Sequence, residues 1–204
     1  MLSLILFPGR FIGSILSFHI LILCMRGTFA ADLPKQFNVK ILTWNLAETS
    51  PNEKDCEFLK EFRDSDMVVI GVQETENLKP RRHEGSRSRA WRALQQASLG
   101  NTFDCLTKHK LGGMQLAVYA KKRITKKVFG HLTLEVSCGV GNVLSNKGCI
   151  CILLRMKGKT IALVNAHFAA HQGKYIYFFQ FNVLKMCNIM SFCCRSRKSE
   201  GTQC

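Results

Sequence analysis

The chain has 204 residues, 47% hydrophobic and 9% aromatic, which is enough apolar material for one domain with its own core and excludes a wholly disordered chain. Its 29 Lys and Arg against 14 Asp and Glu give a formal charge of +15, which favours polyanions such as phosphorylated lipids, inositol phosphates or nucleic acid without choosing among them. The 10 cysteines include no CxxC pair and no histidine spacing that suggests zinc, so most read as thiols outside any disulfide or metal.

Residues 1–30 form a signal-like or anchor segment. "FIGSILSFHILILCM" is an apolar run of signal-peptide length, short of the ~20 residues that a spanning helix needs. "TFA" before "AD" resembles a small-residue cleavage site at Ala30. Arg10 is the only basic side chain ahead of the run, and Pro8 and His19 interrupt its pattern. A cleaved leader, a membrane anchor and an untranslated leader read as protein all stay open.

From Lys35 the texture becomes one of strands and helices separated by turn signals. "FNVKILTWNL" reads as a first strand. "SPNEKDCEFLKEFRDSD" follows, with Ser50 as N-cap, Pro51 at the first helical position and Glu53 completing a capping box; Phe58, Leu59 and Phe62 form the buried stripe of the helix this predicts. "MVVIGVQE" is a continuous β-branched run suited to a strand buried on both faces. "SRSRAWRALQQASLG" suits a second helix, with Trp91, Leu94 and Leu99 inward and Gly100 as its stop.

Further strands are expected at "FDCLTKH", "MQLAVYAKK", "HLTLEVS", "GCICILLRM" and "TIALVNAHF". Cys149 and Cys151, two apart on such a strand, point to one face and pack there as small apolar groups. The "KGK" at 157–159 suggests an antiparallel hairpin, so the pattern is a mixed sheet with helices outside it. The domain is expected over 35–174. Residues 175–204 read as an apolar, then cysteine-rich tail.

Polar groups appear where apolar strands stop: Asn45 in "TWN", Glu74 in "QE", and Asn165 and His167 in "NAH". Strand ends present fixed side chains to a cleft, so these four are candidates for one site. Glu74 is a hard oxygen ligand of the kind that holds Mg²⁺ together with water and substrate phosphate, and Asn45 can add an amide oxygen. "GVGNVLSNKG" offers three glycines, Asn146 and Lys147, which let backbone N–H groups and an ammonium approach a phosphate; it also suits a plain hairpin turn.

"KILTWNLAE", "DMVVIGVQE", "GVGNVLSNKG" and "VNAHFAAH", in this order and spacing, resemble the inositol polyphosphate 5-phosphatases of the endonuclease/exonuclease/phosphatase superfamily. "NKG" and "HxAAH" make the match specific, because "WN" and "QE" also occur in the superfamily's nucleases. The resemblance covers about Val39 to Lys174, the first half of such a catalytic domain. It implies a four-layer α/β sandwich, deoxyribonuclease-I-like, with mixed and mainly antiparallel sheets and a Mg²⁺ site at one edge. By the same resemblance, Glu74 binds Mg²⁺ with Asn45 beside it, His167 contacts a phosphate oxygen, and Asn146 and Lys147 belong to the phosphate surroundings. His171 is expected to support the strand end.

The sequence departs from the family pattern at Ser145, Ala166 and Phe168, where Gly, Ser or Thr, and Leu are usual. It contains no "GDxN", "WxDR" or terminal "SDH" segment, and these carry the family's water-positioning Asp, substrate clamp and Asp/His pair. The expected function is therefore Mg²⁺-dependent removal of the 5-phosphate from phosphoinositides or inositol polyphosphates, in a truncated and catalytically incomplete form. The alternatives are a nuclease of the same superfamily, with nucleic acid disfavoured by the motifs, and a non-catalytic module that binds anionic membrane through "KPRRHEGSRSRAWR" and "KKRITKK". The expected location is the cytoplasm or the cytoplasmic face of a membrane, and the oligomeric state is open.

Overall fold

The computed structural model describes residues 2–7, 23–26, 37–76, 85–137, 147–156 and 159–167. Strands β3 (Val39–Asn45), β4 (Met67–Gln73), β5 (Phe103–Leu111) and β6 (Met114–Lys121) join β1 (Leu2–Phe7) in a five-stranded sheet of order β1-β3-β4-β6-β5. Strands β7 (Val128–Ser137), β8 (Gly148–Met156) and β9 (Lys159–His167) join β2 (Leu23–Arg26) in a four-stranded sheet of order β2-β9-β8-β7. Strands β1, β3 and β4 run parallel and every other pairing is antiparallel, as the expected mixed, mainly antiparallel α/β sandwich requires. The 1–30 segment thus contributes an edge strand to each sheet.

Two apolar layers hold the fold. Between the sheets lie Ile41, Met67, Val69, Leu116 and Val118 from the first and Ile150, Ile152, Leu154, Ile161 and Leu163 from the second. On the outer face of the first sheet, Leu42, Val68, Ile70, Val72 and Tyr119 meet Leu59 and Phe62 of a 3₁₀ helix (Glu57–Phe62) and Trp91 and Leu99 of α1 (Ser86–Leu99). β4 serves both layers, with all seven residues buried, which is why its sequence is continuously apolar instead of alternating.

The second helix ends as expected, with Gly100 in the left-handed region at φ +81°. Leu94 is only partly buried. The first helix differs from its expectation: Ser50 and Pro51 lie outside it, turns occupy 53–56, and the helix begins at Glu57 without a side-chain cap. The Asp55 carboxylate accepts from the Asn52 backbone N–H and side-chain amide, both at 2.8 Å. That local pairing offers the backbone an alternative to helix, and the capping box does not form. Leu59 and Phe62 are nevertheless buried and Phe58 packs against them.

β5 and β7 run two and three residues beyond the expected strands, β8 matches its expected span, and the other strands agree with theirs to within two residues at either end. β8 and β9 pair with Met156 opposite Lys159, the register of a tight hairpin, while 157–158 lie outside the described residues. Cys149 and Cys151 are buried as expected. A short helix, α2 (Lys122–Thr125), follows β6. The tail at 175–204 lies outside the described residues, and the helices among the described residues pack on the first sheet, so the expected fourth layer is not among them.

Candidate active site

Asn45 ends β3, Glu74 follows β4, Lys147 precedes β8 and His167 ends β9. The pairing brings them together: Asn45 lies beside Gln73 across β3 and β4, and Gly148 lies opposite His167 across β8 and β9. Glu74 Oε1 stands 3.2 Å from His167 Nε2 and 3.7 Å from Lys147 Nζ. Lys147 Nζ also contacts His167 Nε2, and the Asn45 side chain lies near enough to the Glu74 carboxylate to favour its ionised form. Four of the five expected site residues therefore meet. Asn146 and His171 lie outside the described residues.

The electrostatics follow from this packing. His167 is 1% exposed, against 21% for the Lys147 side chain and 34% for Glu74. Hydrogen bonding from His167 and Asn45, with the nearby Lys147 charge, pulls the Glu74 carboxyl down to about 2 against the cost of partial burial. Burial lowers the pKa of Lys147 and of His167, and Glu74 opposes both shifts. At neutral pH the cluster holds a carboxylate, an ammonium and a neutral imidazole. A neutral Nε2 either donates to Glu74, the form that lowers the Glu74 carboxyl, or accepts from Lys147, so the two partners compete for one ring nitrogen.

The backbone around Glu74 is unusual. Ala47, Glu48 and Glu74 adopt positive φ of 46°, 57° and 54°, a region that costs side-chain-bearing residues free energy and clusters at functional sites. Hydrogen bonds from Leu46 N to Gln73 O at 2.9 Å and Glu48 N to Glu74 O at 2.8 Å tie the two loops together. Asn45 Oδ1 accepts from Ala47 N at 2.8 Å. Trp44 stacks edge-on against Trp91 with centroids 5.2 Å apart, and Trp91 Nε1 donates to Thr49 O at 2.9 Å, pinning the loop to α1.

Asn165, a candidate for the cleft on sequence grounds, sits beneath it instead, 1% exposed. Its Oδ1 accepts from Gln73 Nε2 at 2.5 Å, and its Nδ2 donates to Val72 O at 3.1 Å and Gln115 O at 2.8 Å. Gln73 Nε2 also donates to Thr43 Oγ1 at 3.2 Å. These bonds cross between the sheets directly under Glu74 and His167. A Cβ on Gly71 would lie 3.0 Å from Asn165 Cγ, so the glycine makes room for the bridge. The signal in the sequence was three polar residues, Thr43, Gln73 and Asn165, at inward positions of otherwise apolar strands.

A second contribution left no sequence pattern. Gly85 gives α1 no side-chain cap, and Glu76 Oε1 accepts from Ser88 N at 2.8 Å in its place. Thr75 Oγ1 and Ser88 Oγ lie 2.9 Å apart. The start of α1 is thereby docked beside Glu74.

The chemistry of the donors suits a hard cation next to a phosphate. Glu74 and Asn45 offer a carboxylate and an amide oxygen, and Lys147 and His167 offer N–H donors. Among the described residues no three His, Cys, Asp or Glu side chains gather as a metal cage, so a cation here leans on water and substrate oxygens.

Comparison with known proteins agrees with this geometry. The chain is 28% identical over 157 residues to type I inositol polyphosphate 5-phosphatase 13 of Arabidopsis thaliana, covering 67% of this chain and 14% of the relative. It is 24% identical over 157 residues to phosphatidylinositol 3,4,5-trisphosphate 5-phosphatase 1 of Mus musculus, covering 69% of this chain and 12% of that protein. The chain thus spans about an eighth of these relatives' length. Among solved structures it resembles the inositol polyphosphate 5-phosphatase domain of SPsynaptojanin, solved with inositol (1,4)-bisphosphate and calcium ion, at TM-score 0.54 and 19% identity, covering 78% of this chain and 44% of that one. A family model, endonuclease/exonuclease/phosphatase family 2, matches residues 42–200, and the chain belongs to that family.

Proposed function

We propose that Glu74, Asn45, Lys147 and His167 belong to a Mg²⁺-dependent phosphomonoesterase site that removes the 5-phosphate of phosphoinositides or inositol polyphosphates. The observation that carries this reading is the convergence of a carboxylate, an ammonium and a buried imidazole from three strand ends, with Glu74 Oε1 3.2 Å from His167 and 3.7 Å from Lys147. The relatives named above are 5-phosphatases, which supports the same assignment.

Glu74, kept ionised by its neighbours, and the Asn45 amide oxygen would hold the metal ion. When bound, Mg²⁺ supplies Lewis-acid polarisation of a phosphoryl oxygen. Lys147 meets the negative charge of the phosphate with a partly buried ammonium, where attraction is less screened than at the surface. His167, held by burial in its neutral form, donates from Nε2 to a phosphate oxygen once Lys147 turns to the substrate, and stabilises charge that grows in the transition state. Asn165 and Gln73 hold the two strand ends at fixed separation.

Residues that position the attacking water in the family are not in this sequence, so the hydrolytic step is assigned to a site completed by further chain. The substrate class and the basic stretch 121–127, with Lys122, Arg123 and Lys126 exposed, support a place at the cytoplasmic face of an anionic membrane.

The test pairs binding with turnover. Calorimetric titration of inositol 1,4-bisphosphate, with and without Mg²⁺, is expected to show a metal-dependent component of binding that Glu74→Ala removes. Phosphate release from short-chain phosphatidylinositol 4,5-bisphosphate is expected to be absent. Release that needs both Mg²⁺ and Glu74 would show that no further groups are required. Absence of any component of binding that depends on both metal and Glu74, in demonstrably folded protein, would overturn the assignment.

A further inference from the structure

A cleft of about 360 Å³ opens on the outer face of the first sheet, between α1 and β5. It shares no residue with the site above. Arg89 and Arg92, one turn apart on α1, line one wall, Lys108 of β5 the other, and Cys105 and Tyr119 also line it. No carboxylate lines the cleft among the described residues.

The fold sets up this arrangement through a β-bulge. The register of β5 against β6 shifts between Cys105 and Thr107: Cys105 lies opposite Tyr119, Thr107 opposite Val118 and Lys108 opposite Ala117. Tyr119 and Ala117 belong to the outer layer and Val118 to the layer between the sheets. In a regular strand Cys105 and Thr107 would share a face and Lys108 would point inward. The extra residue turns Lys108 out towards the arginines. It also turns His109 towards the second sheet, where its Nε2 lies 2.6 Å from Glu135 Oε2.

The walls are held at fixed spacing. Gln96 Nε2 donates to Phe103 O at 2.9 Å, joining α1 to the start of β5. The buried Tyr119 hydroxyl donates to Gln95 Oε1 at 3.3 Å. The positive charge of Arg92 reaches both the Cys105 thiol and the Tyr119 hydroxyl, and that of Lys108 reaches the thiol. Desolvation outweighs both charges at Cys105 and raises its pKa, so at neutral pH the exposed thiol is mostly uncharged and does not repel an anion in the cleft. What remains is two guanidinium groups and an ammonium around a volume near the lower end of small-ligand sites. Planar guanidinium forks and an ammonium match the tetrahedral oxygens of a phosphate monoester.

We propose that the cleft between α1 and β5, lined by Arg89, Arg92 and Lys108, is a second anion site that takes one phosphate monoester group of an inositol-type headgroup, separate from the Glu74 site. A phosphate held there needs no metal, because the counter-charge is built into the walls. One ligand chemistry serves two sources, a soluble inositol phosphate and the headgroup of a lipid in a membrane.

The experiment uses the full chain in EDTA, so that the metal-dependent site is silent. Inositol 1,4-bisphosphate is titrated while Cys105 is labelled with N-ethylmaleimide, and protection is read by peptide mass. Protection of Cys105 is expected in the wild-type chain and in Glu74→Ala, whose unchanged response separates this site from the proposed phosphatase site. Lys108→Glu, on an exposed position, and Arg92→Glu are expected to weaken binding by about tenfold or more, the scale of one charge-assisted contact. Lys108→Glu keeps the test intact if Arg92→Glu fails to fold. Sedimentation with phosphatidylcholine vesicles carrying phosphatidylinositol 4,5-bisphosphate then identifies the source: vesicle binding that Lys108→Glu weakens assigns a lipid headgroup, and protection by the soluble ligand alone assigns a free inositol phosphate. Absence of protection by either ligand, or protection that Lys108→Glu leaves intact, overturns the proposal. Equal binding to phosphatidylserine vesicles of matched charge also overturns it, since that marks a diffuse basic surface.

Discussion

Asn165→Ala tests the bridge beneath the candidate active site. The substitution removes one acceptor and two donors that are wholly buried: the bond from Gln73 Nε2 at 2.5 Å and those to Val72 O at 3.1 Å and Gln115 O at 2.8 Å. Each buried polar group deprived of its partner costs about 1–3 kcal/mol. Gln73 keeps Thr43 as a second partner at 3.2 Å, so the sum falls short of the full threefold penalty. A loss of roughly 3–5 kcal/mol is expected, within the range for broken buried networks. Asn165→Asp should cost at least as much, because it puts a carboxylate against two carbonyl oxygens. Gly71 supplies the decisive comparison. Its added Cβ meets Asn165 Cγ at 3.0 Å and Oδ1 at 3.1 Å, so Gly71→Ala strains the native core, while in Asn165→Ala the obstructing atoms are gone. A urea-denaturation cycle of the two substitutions should therefore show a coupling of about 1 kcal/mol or more in favour of the double variant. Costs that simply add, within about 0.5 kcal/mol, would refute the packing argument.

Glu74 gives a pH prediction. Its carboxyl falls from 4.5 to about 2 on folding, so its contribution to stability is complete above pH 4.5 and is lost as pH falls towards 2. Glu74→Gln should flatten the acid limb of the stability profile in that window; an unchanged limb would mean the carboxylate is not held in this way. Cys56 is 1% exposed, and burial next to Asp55 pushes its thiol up to about 12. Its alkylation at mildly alkaline pH should track global unfolding across a urea series, and rapid labelling in the native state would contradict the burial. Removal of residues 1–30 strips β1 from β3 and β2 from β9. It should lower the urea midpoint and raise light scattering by exposing two sheet edges, whereas an unchanged midpoint would mean that these strands add nothing to the fold.

The sequence was most legible where one force acts alone. The run "MVVIGVQ" is apolar at both parities because β4 lies between two apolar layers, and the polar residues that stop β3, β4 and β9 meet as the strand ends imply. It was least legible where local and distant hydrogen bonds compete. Asp55 takes the N–H of Asn52 and removes the expected capping box, and Glu76 caps α1 from 12 residues upstream of Ser88. The bulge in β5 carries no marker in "FDCLTKHKL", although it decides that Lys108 faces out and His109 faces Glu135. Asn165 was flagged by its position, but its role depends on which side of β9 faces the first sheet. Single-strand reading does not fix that.

The loop after Asn45 shows how the site is kept in an unfavourable backbone geometry. Ala47 has φ 46° and an exposed side chain, and its N–H is bound to Asn45 Oδ1 at 2.8 Å. An alanine in the left-handed region costs about 1–2 kcal/mol relative to the right-handed form, a penalty that glycine escapes. Glycine also enlarges the unfolded ensemble, at a cost of about 0.5–1 kcal/mol. The two effects oppose, and the first is larger, so Ala47→Gly should be neutral or stabilising by up to about 1 kcal/mol. The control is Ala93→Gly on the exposed face of α1, where no strain is relieved and a loss of about 1 kcal/mol is expected. Opposite signs in the two urea midpoints would establish that strain is stored beside Glu74 and held there by the Asn45 and Glu48 hydrogen bonds. Equal destabilisation at both positions would mean the loop is unstrained, and Asn45 would then owe its placement to strand β3 alone.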